Sequence, residues 1–146
     1  MATPESGWEK IKGVMDSGAS ESVAHPSVCP AYEVSESVGS KAGQNYTSAS
    51  GDIIPNLGQK VLDVVSDDGR ETKVRYQAAD VSRTLNSVSG ICDAGDPVNG
   101  QYVIFSKWGG YVYNPSSGRQ TPFEREQGIY TMEMWVKPKS GFTRQG

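Results

Sequence analysis

Apolar residues in this chain come in short runs, and glycine, proline, asparagine or aspartate interrupts them every few positions. That spacing predicts strands joined by turns. Residues 8–15 read as a first strand, with Trp8 as its anchor. Residues 21–32 contain Pro26 and Pro30, so a helix there could be no more than a single turn. Residues 34–41 are polar and read as a loop or an edge strand. Residues 46–54 read as a strand bent at Ser50-Gly51-Asp52, with Pro55-Asn56 at the centre of a tight turn. Residues 59–65 and 72–81 form a hairpin closed by Ser66-Asp67-Asp68-Gly69. Residues 87–94 predict the one helix: Val88, Ile91 and Cys92 share a face and Gly95 ends it. Two more hairpins come after it, 102–105 with 111–113 and 119–125 with 129–136. The last strand carries large side chains on both faces, so cover is expected on both. Residues 1–7 read as a loose leader and 137–146 as a basic tail.

The chain has 146 residues with 17 glycines and 8 prolines, and a net charge of −3. One domain is expected, long enough for a core. The chain shows no basic stripe, so nucleic acid is not expected as a partner of this domain. No apolar run approaches membrane-spanning length and no signal-peptide pattern is read at the start. The expectation is a cytoplasmic domain with no membrane partner. Cys29 and Cys92 lie far apart and His25 is the single histidine. A metal site is therefore not expected, nor any other cofactor. Two reduced, buried thiols are the simplest account of the cysteines.

One stretch carries candidate chemistry. Ile11, Val14 and Met15 run into Asp16-Ser17-Gly18, and Ala19 keeps the next position small. This pattern suits peptide hydrolysis by aspartate. Two carboxyl groups about 3 Å apart share one proton, because both cannot stay ionised. One carboxylate activates a water while its protonated neighbour polarises the carbonyl. Gly18 allows a sharp turn and close approach of a second backbone. Ser17 can hydrogen-bond behind the site. The same triplet also suits an ordinary surface turn, but such a turn needs neither the apolar run before it nor Ala19 after it. With Ser20 and Ser22 it also fits a phosphorylation-dependent degradation signal. Those signals sit in disordered tails, and this one is embedded in apolar sequence.

Asp16-Ser17-Gly18-Ala19, Ala49-Ser50-Gly51-Asp52, Asn56-Leu57-Gly58, and Leu85-Asn86-Ser87-Val88 through Cys92-Asp93-Ala94-Gly95 succeed one another in this order. Their order and spacing resemble the retropepsins, the aspartic proteases of retroviruses and retrotransposons, most closely the copia-type protease. Val103-Ile104-Phe105-Ser106-Lys107 and Ser117-Gly118-Arg119 are similar to the segment downstream of the protease in copia-type polyproteins. The resemblance spans roughly residues 11 to 130.

It implies an all-β fold: a closed retropepsin-like barrel with one short helix, acting as a homodimer. The domain would cover residues 8–136, with a core at 11–113 and a C-terminal hairpin extension at 114–136. Asp16 would be the catalytic acid, with Ser17 bonding across the dimer and Gly18 shaping the turn. Ala19 would border the substrate. Ile53, Ile54, Pro55, Asn56, Leu57 and Gly58 would form the flap that closes over it. Leu85 and Val88 would lie in the loop behind the catalytic turn. Two departures stand out: Pro55 should stiffen a flap tip that is Gly-rich in retroviral enzymes, and Asn86 replaces an aliphatic residue. A buried asparagine needs partners. The implied activity is cleavage of extended segments of the element's own polyprotein, in the cytoplasm or within a retroelement particle. The competing readings are a non-catalytic barrel kept for peptide binding or assembly, and an ordinary β-rich domain with a chance triplet.

Overall fold

The structure, a computed structural model, describes residues 7–48, 50–66 and 69–139. Residues 1–6 of the expected leader, 140–146 of the expected tail, and the turn residues Ala49, Asp67 and Asp68 lie outside the described residues. The chain is mostly β. Its strands are β1 Glu9–Asp16, β2 Val23–Ala24, β3 Asn45–Thr47, β4 Ile53–Pro55, β5 Gly58–Val65, β6 Glu71–Ala78, β7 Leu85–Ser87, β8 Tyr102–Ser106, β9 Gly109–Asn114, β10 Arg119–Glu126 and β11 Ile129–Val136. The helices are α1 Val38–Lys41 and α2 Val88–Asp93.

Hydrogen-bonded neighbours run β1-β7-β2-β6-β5-β11, and β11 returns to β1, so these six strands close a ring. From β11 the sheet also continues outward through β10, β9 and β8. Strands β3 and β4 stand apart as a two-stranded sheet. Strand periodicity decides which side chains the ring encloses. Ile11 and Met15 of β1, Leu62 and Val64 of β5, Tyr76 of β6 and Met132, Met134 and Val136 of β11 meet in one buried cluster, which Val112 and Phe123 extend. The outward face of β11 is only partly covered: Thr131 is buried, while Glu133 and Trp135 are half-buried, with Lys10 5.5 Å over the Trp135 ring and 3.1 Å from Glu133.

The three expected hairpins form, and β9 and β10 add a fourth antiparallel pair, from Asn114 opposite Arg119 to Gly109 opposite Glu124. The expected loop or edge strand at 34–41 is instead helical in its second half. Ser37 accepts the Ser40 N–H at 3.0 Å and Ser40 Oγ accepts the Ser37 N–H at 2.9 Å, a reciprocal cap that stabilises one turn. Among the described residues there are therefore two short helices where one was expected. Helix α2 forms where a helix was expected, and Ser87 caps it: Ser87 Oγ accepts the Gly90 N–H at 3.0 Å.

The 26–29 segment, which its prolines keep from helix, is held by one cation. The buried Lys60 ammonium donates to the carbonyls of Pro26, Val28 and Cys29 at 2.7, 2.8 and 3.1 Å. Burial lowers the Lys60 pKa, which these carbonyls answer by solvating the charge. Cys29 is buried as expected, and burial pushes its thiol up to about 12; Cys92 is only half-buried, and both are free thiols. No helix among the described residues is long and apolar enough to cross a membrane.

Asn86 finds its partners through a glycine. Its Oδ1 accepts the Tyr76 hydroxyl at 2.6 Å, deep in the core, and its Nδ2 lies 3.8 Å from Met15 Sδ. A Cβ on Gly13 would meet Asn86 Oδ1 at 2.5 Å. A polar pair is thus accommodated where β1 carries no side chain. Gly13→Ala is expected to lower stability by about 1–3 kcal/mol through overpacking. Urea unfolding of Gly13→Ala, Asn86→Ala and the double variant checks this: the two effects should fall short of additivity, because removing the Asn86 amide relieves the clash.

Candidate active site

Strand β1 delivers Asp16 at its last position, and β7 fixes the loop beyond it. β7 inserts between β1 and β2, parallel to the first and antiparallel to the second. Asp16 is opposite Ser87 and Val14 opposite Leu85. The loop from Asp16 to Val23 therefore arches across the end of β7 and is pinned to it. Ser87 Oγ donates to the Ala19 carbonyl at 2.7 Å, and the Ser87 N–H donates to Ser22 Oγ at 2.9 Å. Ser87 is buried, so these bonds are shielded from water. Within the loop, Asp16 Oδ1 accepts the Gly18 N–H at 2.8 Å. Asp16 is half-buried, and Ser17 and Gly18 are exposed.

The outward face of β1 that ends in Asp16 also carries Val14 and Lys12. Beside it runs an open groove lined by Lys12, Val14, Thr84, Glu126, Ile129 and Thr131. Lys12 and Glu126 form an ion pair across its rim.

The residues expected in the flap fall on the β3–β4 hairpin and the segment that follows it. Its registers are Asn45 to Pro55, Tyr46 to Ile54 and Thr47 to Ile53. The turn expected at Pro55-Asn56 is not there. The chain reverses instead at the expected bend, Ser50-Gly51-Asp52, where the Ser48 N–H donates to the Asp52 carbonyl at 2.9 Å and the Asp52 N–H donates to Ser48 Oγ at 3.1 Å. Pro55 can end β4 because this short strand pairs on one side only. It stiffens the base of the hairpin, and Gly51, with φ 90°, occupies the tip. Residues 53–58 are thus the returning strand and its link into β5.

Of the residues assigned to substrate, Ile53 is 70% and Leu57 52% exposed, which leaves both side chains available to a ligand. Ile54 is half-buried and Pro55 exposed. Asn56 is buried and its amide is fully engaged: Nδ2 donates to Tyr46 Oη and Gln77 Oε1 at 3.1 and 3.0 Å, and Oδ1 accepts the Gly58 N–H at 2.8 Å. Gly58 has φ 133°, and a Cβ there would meet the Ser35 carbonyl at 2.3 Å. Both residues fix the link between β4 and β5. Leu85 sits behind the Asp16 loop between Val14 and Val23. Val88 packs on the core from the first position of α2.

Several residues that hold this arrangement carry no sequence signal of their own. Ser87 and Ser22 look like ordinary polar residues until β7 inserts between β1 and β2. Glu21, Tyr46 and Gln77 matter only through the contacts that the fold gives them. Asp80 pairs with His25 Nε2 at 3.3 Å and is exposed, on the segment after β6. Among the described residues no group of three His, Cys, Asp or Glu side chains could hold a metal ion. Compared with protein families, with curated proteins and with solved structures, the chain matches none.

Proposed function

We propose that this chain is a retropepsin-like aspartic endopeptidase of a copia-like retroelement that cleaves extended segments of its own polyprotein. The observation that carries the reading is the insertion of β7 between β1 and β2. It supports an acid at a strand end, in a loop fixed from behind by buried Ser87, with its carboxylate and Gly18 left accessible. The six-strand ring is read as the closed barrel, and the separate β3–β4 hairpin as the flap. Each chain supplies one Asp16, so the second carboxyl comes from a second copy related by a two-fold axis between the two loops. That copy would approach along the face of Val14 and Asp16. An extended peptide would add as a strand between hairpin and loop, with alternate side chains meeting Ile53 and Leu57.

The chemistry requires one Asp16 ionised and the other protonated. The ionised carboxylate takes a proton from water as its oxygen attacks the scissile carbonyl, and the protonated one donates toward the carbonyl oxygen. Cleavage rate should therefore be bell-shaped in pH, with its maximum on the acid side of neutral. The test is a pH series of peptide cleavage by the purified chain, using peptides with apolar residues on both sides of the scissile bond. A rate still rising well above neutral pH would point to a different mechanism.

A further inference from the structure

The hairpin and the Asp16 loop are joined by a closed circuit of hydrogen bonds. Tyr46 Oη, on β3, donates to Glu21 Oε1 at 2.9 Å. Tyr46 Oη in turn accepts from Asn56 Nδ2 at 3.1 Å, at the end of the hairpin. Asn56 Nδ2 also reaches Gln77 Oε1 at 3.0 Å, on β6. The Gln77 N–H donates to the Ser22 carbonyl at 2.8 Å, next to Glu21. Asn56 and Gln77 are buried, and Glu21 and Tyr46 are half-buried. Burial first, and then the Glu21 carboxylate, raise the Tyr46 pKa above the ordinary phenol range, so the hydroxyl stays a donor.

The rest of the hairpin is attached weakly. It pairs with no strand of the ring, and Ile53 is largely exposed. Such an element opens at little cost unless something fixes its base. Among the described residues, the Tyr46–Glu21 bond ties the hairpin strands directly to the segment after Asp16. A carboxylate acceptor makes it stronger than a neutral pair.

We propose that Glu21 is a positioning residue: through Tyr46 and Asn56 it fixes the base of the β3–β4 hairpin relative to the Asp16 loop and so sets how tightly a substrate strand is gripped. This rests on the protease reading. Glu21 touches neither Asp16 nor the water it would activate, so its effect falls on substrate binding.

The experiment compares the full chain with Glu21→Ala, Glu21→Gln, Tyr46→Phe and the Glu21→Ala/Tyr46→Phe double variant. Amide hydrogen exchange is read at 45–47 and 53–54 against β5 and β6. Each of Glu21→Ala and Tyr46→Phe should speed hairpin exchange by about tenfold while β5 and β6 stay unchanged, and the double variant should add little to either alone. Glu21→Gln keeps an acceptor oxygen and should restore protection to within about twofold. With a cleaved peptide, Glu21→Ala should raise KM by about tenfold with kcat nearly constant, and Glu21→Gln should restore it. Unchanged hairpin exchange, or exchange raised equally in β5 and β6, overturns the proposal. If the wild-type chain cleaves no peptide, the protease reading fails, and the exchange comparison still decides whether Glu21 tethers the hairpin.

Discussion

Asp16→Asn is expected to reduce peptide cleavage by about 10⁴-fold or more while the chain stays folded. An amide cannot take the proton from the attacking water, and it cannot share a proton with a second Asp16. The fold has little reason to respond. Asp16 is the last residue of β1, and the core contacts of that strand are made by Ile11 and Met15. The Asp16 carboxylate accepts the Gly18 N–H at 2.8 Å, and an asparagine Oδ1 can accept it equally. In a dimer the substitution also removes the cost of holding one carboxylate charge against a second carboxyl group, so thermal stability should be equal or higher. Cleavage assays with parallel thermal unfolding check both parts. A folded Asp16→Asn chain with wild-type turnover removes Asp16 from the mechanism.

Strands are legible in the sequence wherever a period of two meets a strong turn. Leu62 and Val64 flank Asp63 on β5 in a run that ends at the turn at 66–69, and Met132, Met134 and Val136 alternate with Thr131, Glu133 and Trp135 along β11; both strands form close to where the sequence puts them. The short elements are harder to read. α1 depends on a reciprocal cap between two serines, which in a polar stretch looks like loop. β2 has two residues and exists only because β6 and β7 flank it. At the site, the position of Asp16 at a strand end can be read from the apolar run before it. The pinning of its loop cannot, because Ser87 and Ser22 are 65 residues apart and meet only through β7. Asn86 looks like a misfit beside the Asp16 loop; Gly13 and Tyr76 explain it. The lone glycine in β1 is its available clue, since a glycine inside a strand marks a close approach. The link from β4 into β5 is hidden for the same reason. Pro55-Asn56 has turn chemistry, yet Asn56 spends its amide on Tyr46, Gln77 and Gly58, and the serines at 48 and 50 build the turn.

Wild-type activity should be poisoned in trans. One chain carries one acid in this setting and the chemistry needs two, so a mixed dimer of wild type and Asp16→Asn holds a single carboxylate. With a ninefold excess of mutant and time for subunits to exchange, about one wild-type chain in ten would keep a wild-type partner, and activity should fall about tenfold. Dilution below the dimer dissociation constant should lower specific activity in the same way, because the active species then falls with the square of the monomer concentration. The mutant serves as its own control, since a folded Asp16→Asn chain competes for partners without altering the substrate. A monomeric enzyme would ignore both treatments. Constant specific activity on dilution, indifference to added mutant and a monomer by sedimentation would together eliminate the two-fold arrangement. The second acid would then come from the same chain. Asp80 is already paired with His25, and Asp93 is exposed at the end of α2. Neither adjoins Asp16 through the β1–β7 ladder, where its neighbour is Ser87. A monomer would thus need a rearrangement of this ring, whereas a dimer needs only that the exposed Asp16 loops of two copies meet.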